Sequence, residues 1–352
     1  MKQTAVVVAP GRGTYNREEL GYFARHHPDK SGLMAQFDDF RRQAGQEPLS
    51  ALDGAERYAG ATFTRGDNAS GLIYACAYAD FLSIDRARFD ILAVTGNSMG
   101  WYIALACAGA LDAMDGLNVV NTMGTLMHRN MIGGQLIYPF VDENWVPIPG
   151  RRAEIETRIA EIDRRAGHVL GLSIDLGGML VMAGNAEGLA AFEAEMPKLQ
   201  SRYPMRLPGH AGFHTALQAP VAAAGQVRLG PELFDTPDLA LIDGRGAVWR
   251  PKSSDPARLR AYTLGHQVTE PYDFTAAIRV AARDLMPDVF IVLGPGTTLG
   301  GATAQSLLSC HWRGWRDKPG FQTAQQEHPR LLSMGRPDQR ALVAAPRAGR
   351  TA

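Results

Sequence analysis

The stretch DILAVTGNSMGWYIALACAGAL, Asp90 to Leu111, constrains this chain more than any other segment. It opens as a run of strand formers, bends at a glycine-flanked turn, and continues as an unbroken apolar helix. A strand that feeds a helix directly, with both too apolar to face water, belongs inside an α/β layer built on a parallel sheet. TAVVVA (Thr4 to Ala9) and PDVFIVLG (Pro287 to Gly294) are further runs of the same kind. At the bend stands a lone hydroxyl, Ser98, between Gly96 and Gly100. G-x-S-x-G between a strand and a helix is the nucleophile-elbow pattern. Small flanking residues permit the sharp turn and lift the serine out of the packed sheet. The N–H of the next residue, Met99, then faces any oxyanion formed at the serine. A serine that merely caps the helix is the competing reading.

A serine nucleophile requires a base, and spacing alone does not choose one. LPGHAGFHTAL offers His210 and His214 at a loop–helix junction, and His266 stands beside Gln267. His26 and His27 lie in a polar early segment, and His128, His168 and His311 read as surface or structural residues.

Between residues 132 and 208 the rhythm changes. GGQLIYPF, RRAEIETRIAEIDRRAG, VLGLSIDLG, GMLVMAGN, AEGLAAFEAEMPKL and YPMRLP spell β-α-β-β-α-β, the succession of a small split-βαβ lobe. We read 132–208 as an insertion in a large α/β lobe made of 1–131 and 209–312. Residues 313–352, rich in Arg, Gln and Pro, read as a wrapping segment or tail.

Thirty-six basic residues balance thirty-six acidic ones, which argues against a dedicated nucleic-acid surface. Cys76, Cys107 and Cys310 are too far apart for a metal motif or a disulfide framework, and a reducing, cytoplasmic setting is expected. LIYACAYADFL and YIALACAGAL are too short to span a membrane. GPGTTLGG has its glycines in the wrong pattern for a dinucleotide fingerprint. No metal site and no bound cofactor are expected.

Six segments, in order, resemble the malonyl-CoA:acyl-carrier-protein transacylases and polyketide synthase acyltransferases. They are PGRGTY, GNSMGWY, LVMAGN, GFHTALQAP, HQVTEPYDFTAAI and IVLGPGTTL. The resemblance implies a hydrolase-like parallel-sheet core with an inserted small ferredoxin-like α+β lobe. It implies transfer of an acyl group from acyl-CoA, as substrate, to the thiol of a phosphopantetheinylated acyl carrier protein through an acyl-serine. Carried over by motif, Ser98 is the nucleophile, His214 its base, Gln267 the residue whose carbonyl orients the histidine, and Met99 an oxyanion donor. A thioesterase on the same site and a non-catalytic docking protein are the alternatives.

The chain departs from the family pattern at four positions. Arg12 replaces the opening glutamine associated with the oxyanion hole, and Asn97 replaces the histidine before the serine. Trp101 replaces a glutamate, as an acyl-pocket wall or a core residue. Met123 replaces the arginine that holds the malonyl carboxylate, a task suited to a planar guanidinium. A methionine there, with Met127 nearby, leads us to expect that malonate is not the preferred acyl group; Arg12 and Arg129 are possible substitute charges. Asn185, after Gly184, corresponds to a residue beside the substrate cleft; a left-handed turn asparagine is the alternative.

Overall fold

The computed structural model describes residues 1–346. Its strands, in chain order, are β1 (Gln3–Ala9), β2 (Phe89–Gly96), β3 (Gly134–Pro139), β4 (Leu170–Leu176), β5 (Met179–Gly184), β6 (Met205–Arg206), β7 (Ala240–Ile242), β8 (Val248–Trp249), β9 (Tyr272–Asp273), β10 (Val289–Val292) and β11 (Leu331–Ser333). They form two sheets. The larger has the order β11-β10-β1-β2-β7-β8, parallel throughout except for β8. β1 lies at its centre, and Ala5 to Ala9 are wholly buried. Helices cover both faces, so the strand reads as continuous apolar sequence rather than alternation. Burying each of Val6, Val7 and Val8 contributes about 1.5–3 kcal/mol.

The parallel register sets the place of the site. β1 pairs with β2 on one side and β10 on the other, so the carboxyl ends of all three lie together. The loop after β1, the bend after β2 and the Gly294-Pro295 turn after β10 therefore share one edge of the sheet. Open parallel sheets bind ligands at this edge, where the order reverses.

The smaller sheet has the order β6-β3-β5-β4-β9. β3, β4, β5 and β6 pair antiparallel, and the helices Arg151–Asp163 and Ala186–Glu195 follow β3 and β5. That is the β-α-β-β-α-β succession read from the sequence. The fifth strand, β9, comes from outside residues 132–208 and pairs in parallel with β4. It ties this sheet to the chain that carries Gln267.

The segment after residue 313 contributes structure to the main sheet. Leu331–Ser333 is its edge strand β11, flanked by the helices Lys318–Glu327 and Pro337–Val343. Arg340 fixes the last helix. Its Nη2 lies 2.5 Å from Asp80 Oδ1, and its Nη1 donates to Tyr22 Oη at 2.8 Å. Asp80 also accepts from Tyr22 Oη and the N–H of Gly294 and contacts His27 Nε2, each at 2.8 Å, so the buried carboxylate is fully partnered. Residues 347–352 of the expected tail lie outside the described residues. No helix among the described residues is long and apolar enough to cross a membrane.

Candidate active site

The bend after β2 is tight enough to explain both of its glycines. A Cβ on Gly96 would sit 2.3 Å from the carbonyl of Gly100, and one on Gly100 would sit 2.3 Å from the carbonyl oxygen of Ala9. With that space empty, the helix Gly100–Cys107 starts directly against β1 and β2. Ser98 is held at φ 55°, a left-handed conformation rare for a residue with a side chain. Such strain persists only where the surroundings impose it, and it clusters at functional sites. His214 shares the feature, at φ 56°.

These two residues meet. Ser98 Oγ lies 2.7 Å from His214 Nε2, and His214 Nδ1 lies 2.7 Å from the main-chain carbonyl oxygen of Gln267. A carbonyl can only accept, so Nδ1 carries the proton and Nε2 is left to accept from the serine hydroxyl. Burial holds the imidazole neutral, lowering its pKa to about 4 against a partly opposing contribution from the Gln267 carbonyl.

Gln267 therefore orients the histidine through its main-chain carbonyl, and its side-chain amide is engaged elsewhere. Its Nε2 donates to the carbonyl of Ser98 at 3.1 Å, and its Oε1 accepts from Tyr102 Oη at 2.9 Å. The amide thus braces the bend. An i→i+5 turn at Tyr262–His266 leads into Gln267. Tyr272 donates from Oη to the carbonyl of Gly96 at 2.6 Å, and its ring lies 5.4 Å from the His214 ring. Tyr102 and Tyr272 had no sequence signal beyond their motif neighbours.

Two spaces open at Ser98. A cleft of about 470 Å³ runs from the serine across the small sheet. Arg12, Asn97 and His210 line it near Ser98, and its far walls include Ile137, Leu176 and Val181. On the other side lies a chamber of only about 20 Å³, enclosed by Arg12, Met99, Tyr102, Val120, Met127 and Phe213, among others. Among the described residues, the backbone N–H groups of Arg12 and Met99 have no hydrogen-bond acceptor in the chain. Both are available to an oxyanion.

Arg12 itself is anchored by one bond, Nη2 to the carbonyl of Thr64 at 2.7 Å. Its Nε and Nη1 are buried without a partner. Asn97 Oδ1 is likewise buried and unpartnered. His210 is fixed by its Nδ1, 2.8 Å from Gln135 Oε1, and burial and the nearby Arg12 lower its pKa to about 3.

Three expected pocket residues stand elsewhere. Trp101 is fully buried in the core, with Nε1 donating to Thr263 Oγ1 at 2.9 Å and its ring edge-on to Tyr262. Met123 is fully buried and lines neither space; its sulfur packs toward Gly225. The chamber face of the helix Ala113–Arg129 carries Val120, Gly124 and Met127 instead, an i, i+4, i+7 stripe that periodicity could have identified. Asn185 has φ −78°, so the left-handed reading also fails. Its Oδ1 accepts from the N–H groups of Gly188 and Val169, each at 2.9 Å, and caps the helix Ala186–Glu195. Arg129 is exposed at the end of its helix, away from the chamber. Among the described residues no three His, Cys, Asp or Glu side chains form a metal-holding group.

Comparison with known proteins gives the same kind of molecule. No protein-family model matches the chain. The malonyl CoA-acyl carrier protein transacylase of Salmonella typhimurium is 24% identical over 213 residues, 60% of this chain and 64% of that protein. The non-reducing polyketide synthase mapC of Penicillium brevicompactum is 23% identical over 236 residues, 65% of this chain and 9% of the synthase. The match thus spans less than two thirds of the transacylase. Among solved structures, the malonyl-CoA:acyl carrier protein transacylase of Xanthomonas oryzae superposes with a TM-score of 0.76 at 19% identity, covering 98% of this chain and 100% of that one. A malonyl transacylase solved with the acyl-carrier protein of a type II polyketide synthase gives 0.69 at 20% identity, covering 87% and 93%. By sequence this chain's relatives are malonyl-CoA:acyl-carrier-protein transacylases and polyketide synthases with related segments, and its fold is that of the solved transacylases.

Proposed function

We propose that the protein moves an acyl group from coenzyme A to the phosphopantetheine thiol of an acyl carrier protein, by way of an ester on Ser98. The observation that carries this reading is the hydrogen-bonded relay Ser98 Oγ–His214 Nε2, with His214 Nδ1 held by the Gln267 carbonyl. The named partners of the relatives and structural neighbours support a carrier protein as acceptor.

In the first half-reaction Ser98 Oγ bonds to the thioester carbon while His214 Nε2 takes its proton. The carbonyl oxygen becomes an oxyanion between the N–H groups of Met99 and Arg12. The carbon–sulfur bond then breaks, and the imidazolium returns the proton to the departing thiolate. The second half-reaction reverses these steps with the carrier thiol as nucleophile. Because a backbone carbonyl replaces a carboxylate behind the histidine, the imidazolium gains less charge stabilisation than in a Ser-His-Asp site. Thioesters are activated acyl donors with good leaving groups, which suits a site of this strength. The cleft, with its apolar far walls, offers the thioester arm a path to Ser98.

The acyl specificity within this reading does not follow from Met123, which touches neither space. Selection falls to the remaining walls of the chamber.

Intact-mass analysis after mixing with a panel of acyl-CoA donors tests the reading. One acyl adduct per chain should form, vanish in Ser98→Ala, and be discharged faster by holo-carrier protein than by water. Faster discharge by water would make the protein a thioesterase. No adduct with any donor would leave only a docking role.

A further inference from the structure

His210 presents a hydrogen-bond acceptor to the cleft, and the fold settles its tautomer bond by bond. The carbonyl of Phe213 can only accept, so Ser173 donates to it from Oγ at 2.8 Å. A lone pair of that same Oγ accepts from Gln135 Nε2 at 2.6 Å. This bond fixes which end of the Gln135 amide is which and turns its Oε1 toward His210. His210 Nδ1, 2.8 Å away, must therefore carry the proton. Nε2 is left bare. It has no partner among the described residues and, unlike the buried unpaired atoms of Arg12 and Asn97, it keeps an accessible face. Burial, and then the nearby Arg12 and His214, lower the pKa of the ring to about 3, so Nε2 remains an acceptor at neutral pH.

His210 lines the cleft that reaches Ser98 and is absent from the walls of the chamber. The donor it meets therefore belongs to the arm that fills the cleft, and not to the acyl group. A thioester has no donor at its carbonyl or its sulfur. The first N–H along a phosphopantetheine arm is that of the amide two carbons beyond the sulfur, and coenzyme A and a holo-carrier protein share it. We propose that His210 Nε2 accepts a hydrogen bond from this amide N–H and thereby sets how far the arm advances along the cleft in both half-reactions. This rests on the acyl-transfer reading above. His210 is not a second base in this scheme, since its ring is harder to protonate than that of His214. The bonds from His210 lead back to Phe213, the residue before His214, so the acceptor and the base are held on one short stretch of chain.

The experiment measures second-order loading of Ser98 in the full chain by intact mass, with the acyl group that the panel of acyl-CoA donors loads best. That group is presented on two short thiols. N-acetylcysteamine keeps this one amide, and acetoxyethanethiol has an ester oxygen in place of the N–H. The wild type should load from the amide donor about 3- to 10-fold faster, the effect expected of one neutral hydrogen bond. His210→Asn sets an amide nitrogen where Nδ1 was, so it keeps the bond to Gln135 and deletes Nε2; the preference should vanish. His210→Gln sets an amide oxygen where Nε2 was and should retain at least part of the preference. Equal loading from the two donors by the wild type overturns the proposal without any variant. A preference that survives in His210→Asn overturns it, since His210 would then act only through Gln135. Its loss in His210→Gln as well overturns it, since a restored acceptor would then have no effect. Loading from acyl-CoA but from neither short thiol also overturns it, because the first amide would then not be an anchor. Failure of every acyl-CoA to form an adduct in the wild type would instead remove the acyl-transfer reading on which the proposal rests.

Discussion

His214 makes the sharpest prediction, because its neutral form is set by burial and not by an acidic partner. It is 3% exposed, and its pKa is lowered from 6.5 to about 4. At pH 5.5 an ordinary imidazole would be only about 9% neutral, whereas one titrating near 4 would be about 97% neutral. Acylation of Ser98 requires the neutral form. The rate should therefore be nearly flat from pH 7.5 to 5.5, where an unshifted base would show a fall of about tenfold. Acetyl-CoA is the donor of choice, since its acyl group does not titrate, and single-turnover loading by quenched intact mass reads the chemical step. The same shift has a stability consequence of definite sign. Between about pH 6.5 and 4 the unfolded chain binds a proton on this histidine that the folded chain refuses. Stability present above 6.5 is therefore lost as pH falls to about 4, by about 3 kcal/mol from this residue. Melting temperatures across the same window must accompany the kinetics, so that unfolding is not read as protonation. An acid limb centred near 6.5, in protein still folded, would refute the reasoning.

Other perturbations separate bracing from chemistry. Tyr102→Phe removes the donor to Gln267 Oε1 and leaves that buried oxygen unpaired, so we expect a loss of about 1–3 kcal/mol by denaturant titration together with slower loading of Ser98. Arg340→Ala leaves the Asp80 carboxylate buried without its cation; about 3–5 kcal/mol should be lost, and proteolysis should begin within the last helix, Pro337–Val343. Asn185→Ala deletes a helix cap and should cost about 1 kcal/mol in stability while leaving the loading constant unchanged. A change in that constant would return Asn185 to the cleft.

The residues that were readable in advance are those whose chemistry demands a local pattern. A strand, two glycines and a serine can be recognised together because the turn excludes a Cβ at both glycine positions. The histidine is recognisable from its motif, but its pairing with Ser98 across 116 positions is a product of the fold. Trp101 lies on the helix Gly100–Cys107, buried along its whole length, and a helix apolar on every side gives periodicity no face to choose. Met123 lies on the amphipathic helix Ala113–Arg129, where it shares the buried side but not the Val120, Gly124, Met127 stripe that meets the chamber. Gln267 was expected to orient the histidine through a carbonyl, and it does so with its main chain; any residue supplies such a carbonyl, so the motif alone does not distinguish main-chain from side-chain service. β11 was hidden because LLS is three residues long in a segment whose composition is polar. Arg12 is the instructive case. Its identity is plain in PGRGTY, but what makes it chemically pointed is what the fold withholds: Thr64 takes one nitrogen, Arg65 engages Asp67, and no carboxylate lines the chamber. A cation left unpaired by its surroundings is defined by positions far from it in the chain.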